Sequence, residues 1–290
     1  MDPTTSMYVS QAIHGIAYGM ILFLIASGLN IIFGMMGILN LAHASFFMLS
    51  GYFCYQVVEI TDSFWAALLL APVFTAFFGM FMERIFLRKI HAFGHLGQLI
   101  LTLGIAQVVM GFVMIFWGTN NLPVRIPPIL TGMVSVSSLE YPIYRLFVIG
   151  MALVVLVFMI LLLYKSRLGM IIRAAVSDRD MVNALGIDIP ILFTVVFGIG
   201  TWLAGIAGVA IAPILTVFPG LADQVGMDAF IVVVTGGFGS LTGAFIISII
   251  FGLLSAFGIQ FVSQLAPVLM VGFMAIVLAI RPNGLFGVEE

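Results

Sequence analysis

GMMGILNLAHASFFMLSGYF, residues 34–53, lies inside a run that holds no charged residue from Pro3 to Val58. Such runs decide the fold, because a helix of about 20 apolar residues crosses the hydrocarbon core of a bilayer. Two glycines, Gly34 and Gly37, precede Asn40 and His43 in this stretch. A plain membrane anchor has no use for that combination.

The same reading extends along the whole chain. Of 290 residues, 63% are hydrophobic and 8% charged, with a mean hydropathy of +1.27; a soluble domain carries roughly 25% charged residues. The ten Lys and Arg and twelve Asp and Glu cluster between apolar runs, as expected when charge in hydrocarbon costs several kcal/mol. The ~10-residue alternation of a membrane β-barrel is absent. The predicted fold is all-α, a polytopic helical bundle forming one transmembrane domain over 1–290. Eight spans are expected, at 9–31, 38–58, 64–87, 96–117, 144–164, 191–217, 228–250 and 262–280.

Charge orients these spans. Arg84, Arg88 and Lys89 in loop 83–95, and Lys165, Arg167, Arg173 and Arg179 in loop 164–190, put both loops on the cytoplasmic side. The proline-rich 118–143 segment is then an irregular external loop, and the N-terminus is outside. Arg281 calls for a cytoplasmic C-terminus, which eight full crossings do not give. TGGFGS, 235–240, is the expected place for the chain to break and re-enter, since glycines relax a helix and bare backbone is tolerated at depth only under protein or water.

The two glycine breaks share a grammar: Gly34 and Gly37 correspond to Gly236 and Gly239, each pair followed by a small polar residue, Asn40 or Ser240. Gly-interrupted spans in corresponding halves point to a solute path near the bilayer centre; small residues for tight helix crossing explain the glycines equally well. With Asn30, Asn40 and His43 near the first break, helix ends carrying about half a unit charge would suit a neutral or zwitterionic solute. For His43 a structural hydrogen bond to a neighbouring helix competes with that role. A metal site is not expected, because His14 and His43 have no Cys, Asp or Glu at ligand spacing. Cys54 reads as a small buried hydrophobe. No catalytic motif and no carboxylate pair falls in an apolar segment, no carboxylate is read clearly inside a span, and a net charge of −2 offers nothing to nucleic acid.

The most informative polar segment is YKSRLGMIIRAAVSDRDMVNALGIDIP, 164–190. Asp178 caps a short predicted helix at 178–185, Asp180 lies in its first turn and Gly186 suits its C′ position. Met181, Val182 and Leu185 are expected on one apolar face of a short helix held between two spans and bounded by Arg173 and Arg179, either as a knob for a soluble partner or as a strip on the lipid surface.

GLNIIFGMMGILNLAHASFFMLSGYF (28–53), MERIFLRKI (82–90), YKSRLGMIIRAAVSDRDMVNALGIDI (164–189), GMDAFIVVVTGGFGSLTGAFI (226–246) and RPNGLFG (281–287) resemble the permease subunits of branched-chain amino acid ABC importers, the H-type (LivH-like) subunit in particular. The resemblance implies a bacterial inner-membrane protein working with a second permease subunit of the M type and two cytoplasmic ATPase subunits. ATP-Mg would be bound on the ATPases and no cofactor on this chain. An extracytoplasmic solute-binding protein would deliver leucine, isoleucine or valine. It also implies that helix 178–185 is a coupling helix seated on an ATPase. Two positions depart from the family pattern: Ala44, where many members have Gly, and Asp228, where a basic residue is common. Relatives with this pattern also carry urea, short amides or aromatic acids. A gradient-driven transporter or channel would instead work alone, without need of the 178–185 helix.

Overall fold

The computed structural model describes residues 3–90, 94–136 and 139–287; residues 91–93 of the first basic loop and 137–138 of the external loop lie outside the described residues. Helix α1 spans Pro3–Met36 and α2 spans His43–Thr61; α3, Phe64–Met82, continues through a π-helical turn at Glu83–Leu87 into a last turn, α4, Arg88–Ile90. There follow α5 (Gly94–Trp117), α6 (Ile143–Lys165), α7 (Arg167–Ser177), α8 (Arg179–Ala184), α9 (Ile189–Leu215), α10 (Leu221–Gly236), α11 (Leu241–Val262) and α12 (Ala266–Ile280). The helical bundle expected from composition is what forms. The external loop is less irregular than expected, since Met133–Val136 and Leu139–Pro142 pair as an antiparallel hairpin, β1 and β2.

Six helices are long and apolar enough to cross a membrane: α1, α3 with its π turn, α5, α6, α9 and α11. In α1 and α9, 83% of the most apolar stretch is buried, against 22% in α5 and α6. The first two therefore form the centre, and the other two present leucines, isoleucines and phenylalanines outward, where lipid is as good a solvent as a helix. Close approach supplies much of the packing. A Cβ on Gly15 of α1 would lie 2.9 Å from the Gly252 carbonyl oxygen of α11, so these backbones touch where small residues permit it.

Cross-links along α1 reveal the path of the last seventy residues. Gln11 donates to the Ala256 carbonyl and Asn30 to that of Ser240, so α11 runs antiparallel to α1. Tyr18 bonds Asp228 while Gly34 meets Gly239, so α10 runs parallel to it. The expected single span 228–250 is therefore corrected to a hairpin: α10 descends alongside α1, turns at 237–240, and α11 returns. Helix α12 then runs back toward the hairpin tip and ends at Arg281. With only 15 residues, about 22 Å at 1.5 Å per residue, α12 is short for a span, and the tail folds beneath the hairpin: Leu285 and Phe286 donate backbone bonds to the Thr235 and Gly236 carbonyls.

The expected span 38–58 is also shifted. Residues 37–42 are not helical, and α2 starts at His43, whose Nε2 lies 3.2 Å from the Ile25 carbonyl. From Met36 back to Ile25 is eleven residues, about 16 Å of helix, which the break and the reach of the His43 side chain span together, with a turn closed by the His43 amide on the Asn40 carbonyl.

Candidate functional site

The two glycine breaks meet in space through α1. Asn30, buried at 2% exposure, donates to the Ser240 carbonyl at 3.0 Å and accepts from the Gly239 amide at 3.2 Å. Phe33 and Phe238 pack with ring centroids 4.3 Å apart, and a Cβ on Gly34 would stand 3.2 Å from the Gly239 Cα. Ser240 caps α11 by accepting from the Gly243 amide at 3.0 Å, and Gly236 closes α10. Asn30, Gly34, Gly236, Gly239 and Ser240 are thus one assembly whose side-chain amide is already occupied by backbone.

Asn40 and His43 belong to a different surrounding. The Asn40 Oδ1 accepts from the Ala42 amide at 3.1 Å, a local turn that starts α2, but its Nδ2 is buried without a partner. His43 is wedged between α1 and α9, with a Cβ on Gly28 placed 2.9 Å from its Nε2. That nitrogen donates to the Ile25 carbonyl, so Nδ1 is left as an acceptor, and it too has no partner. Gly37 opens the break at φ +68°, and Leu41 within it is 40% exposed. Buried polar groups are seldom left unpaired, and these two atoms stand open to a further hydrogen bond, as do several others among the described residues, the Thr235 Oγ1 included.

Helix α8, Arg179–Ala184, forms within the expected bounds. Asp178 accepts from the Met181 amide at 2.9 Å, and Gly186, at φ +85°, donates to the Asn183 carbonyl, closing the C-terminus in the left-handed geometry that favours glycine. The expected common apolar face divides in two: Val182 is buried at 3% exposure, whereas Met181 and Leu185 stand out at 58% and 74%. Arg179 reaches inward to donate to the Met35 carbonyl at 2.6 Å and stacks on Phe193, whereas Arg173 lies outward over the Tyr164 ring. Asp180 is exposed in the first turn.

Two carboxylates that the sequence reading set at span edges lie deeper. Glu83, in the π turn, has a fully buried side chain that accepts from Thr194 at 2.6 Å, with Arg88 4.0 Å away. Asp228 is in the middle of α10, bonded by Tyr18 at 2.6 Å. Sequence carries no signal for either, because the π turn and the hairpin that bring them inward are tertiary outcomes. Among the described residues, no cluster of His, Cys, Asp and Glu could hold a metal.

Residues 11–280 match the family described as branched-chain amino acid transport system, permease component. The chain belongs to this family. It is 28% identical to the high-affinity branched-chain amino acid transport system permease protein BraD of Pseudomonas aeruginosa, over 99% of this chain and 98% of that one. It is 26% identical to the LivH permease proteins of Salmonella typhimurium and Escherichia coli, over 98% of this chain and 96% of theirs. No solved structure matches. The chain is a multi-pass membrane permease.

Proposed function

We propose that this chain is the membrane-spanning subunit of an ATP-driven importer that translocates branched-chain amino acids handed over by an extracytoplasmic binding protein. The observation that carries the reading is the double face of α8. Met181 and Leu185 are offered to the cytoplasm, while Arg179 holds the Met35 carbonyl in the last turn of α1, two residues before the 37–42 break begins.

In this reading the exposed pair seats in a groove of a partner ATPase, which holds the ATP-Mg; the chain itself has no G-x-x-x-x-G-K-[ST] loop. Closure of the ATPases displaces α8. The Arg179 bond, with an ionised donor and so stronger than a neutral one, passes that displacement to the end of α1. The break, with no helical bonds to resist, changes shape and re-exposes Asn40 and His43 to one side or the other. ATP thereby shifts a balance between inward-open and outward-open states through contacts that differ between them. A second permease subunit of the M type covers part of the exposed perimeter.

The test is uptake of labelled leucine by cells with the gene, without it, or carrying Met181→Asp, with unlabelled valine, urea and benzoate as competitors. Uptake abolished by deletion, competed by valine alone and reduced more than tenfold by Met181→Asp is the expected result. Uptake untouched by deletion contradicts the leucine reading, and full uptake by Met181→Asp contradicts the coupling role of α8 and favours a gradient-driven carrier.

A further inference from the structure

A cavity of about 650 Å³ opens in the outer half of the molecule between α1, α10, α11 and α12, with Arg145 of α6 and the end of α9 completing its wall. Its size is in the range of sites for small organic molecules, about 300–1,000 Å³. Its deepest α1 residue is Ile21, nine residues or about 14 Å above Asn30 and the hairpin tip. Ala17, Ile21, Ile211, Ile231 and Met270 make apolar walls, and into these project one anion, Asp228, and one cation, Arg145.

The two charges are held in place but not neutralised. Tyr18 donates to Asp228 Oδ2, leaving Oδ1 for a further donor. Arg145 donates to His14 Nδ1 and hydrogen-bonds Tyr141, which also contacts that nitrogen, so one edge of the guanidinium is fixed and the rest of its five donors remain. Among the described residues, neither Asp228 nor Arg145 pairs with an opposite charge. Isolated charges at membrane depth are expensive, and two opposite charges kept apart in one apolar chamber are neutralised together by a ligand that carries both signs and an apolar body.

We infer that this cavity is a zwitterion site, in which Asp228 receives the ammonium of an α-amino acid, Arg145 its carboxylate, and the walls its aliphatic side chain. The inference rests on the amino acid import reading and deepens it by placing a waiting site on the outer side of the hairpin. Asp228, a departure from the basic residue common in the family, is on this account the ammonium receptor. The carboxylate can be taken bidentately, as guanidinium geometry favours, and an ammonium held by an ionised carboxylate and an apolar flank discriminates against solutes lacking either charge.

The experiment is saturation-transfer NMR of leucine at millimolar concentration with the purified permease complex in lipid nanodiscs, without binding protein. Isocaproate, which lacks the ammonium, and isoamylamine, which lacks the carboxylate, serve as competitors and as direct probes. The expected result is leucine transfer that valine displaces and neither analogue displaces, lost at least fivefold in Asp228→Asn and in Arg145→Gln and retained in Asp228→Glu. Competition by either analogue as effective as that by valine overturns the inference, even if the variants fail to fold, and so does absent leucine transfer. Leucine uptake in cells with no transfer in nanodiscs rejects this site and leaves the import reading standing; transfer with no cellular uptake does the reverse.

Discussion

The break at 37–42 and the break at 237–240 begin with the same glycine grammar and end as opposites. In the second, the chain turns within four residues and is tied on several sides, although the buried Thr235 Oγ1 has no partner: Asn30 ties Ser240 and Gly239, the tail bonds the Thr235 and Gly236 carbonyls, and Phe238 packs on Phe33. In the first, six residues run without helical structure, the Leu41 amide donates to Thr102 of α5, two buried side-chain nitrogens have no partner, and Leu41 is partly exposed. The same residue types therefore make a wedge where tertiary bonds are many and a more pliant segment where they are fewer. On the proposed reading the wedge has the static role, and the segment that starts two residues after the Arg179 tie the moving one.

Substitutions can break this contrast. The largest expected effect is at Gly237, whose φ of 97° and ψ of 130° are open to glycine almost alone. A Cβ there would stand 2.7 Å from the Gly287 Cα and 3.0 Å from the Phe286 carbonyl carbon. Gly237→Val should cost about 3 kcal/mol or more, strain and clash together, read as loss of monodisperse protein in detergent; a normal melting curve would show the wedge to be soft. Asn30→Leu removes both side-chain bonds to the hairpin tip and should cost about 1–2 kcal/mol, measured as a lowered melting temperature, with Asn30→Asp recovering the Gly239 bond alone. Gly37→Ala meets positive φ but no atom within 4 Å, so about 1 kcal/mol is expected. A Gly37→Ala loss equal to that of Gly237→Val would erase the distinction. Smallest in stability, Asn40→Leu forfeits one local bond to the Ala42 amide, about 1 kcal/mol or less, while leucine uptake should fall about tenfold; equal loss of expression and uptake would make Asn40 structural.

Composition and charge made most of this fold legible before any coordinates. Apolar runs gave the helices, and the conflict posed by Arg281 located the hairpin at TGGFGS. Asp178 and Gly186 bounded α8 because caps are local chemistry. What sequence could not supply was tertiary. The direction of α10 depends on which helix receives Tyr18, and the division of α8 into a buried Val182 and exposed Met181 and Leu185 depends on α9 and α1 beneath it. The depth of Glu83 and Asp228 follows from a π turn and a hairpin that no periodicity marks. For the candidate site, the glycines and Asn30 were visible as residues, but not that the Asn30 amide would be consumed by the hairpin while that of Asn40 stays unbonded.

The central claim is that the 37–42 break moves with nucleotide and the 237–240 turn does not. With the native Cys54 replaced by Ala, Leu41→Cys and Phe238→Cys can each be labelled by an impermeant maleimide in inside-out vesicles holding the assembled complex, with and without ATP. A labelling rate that changes severalfold with ATP at Leu41→Cys and stays constant at Phe238→Cys is the predicted result. Constant labelling at both positions, or equal changes at both, would contradict it.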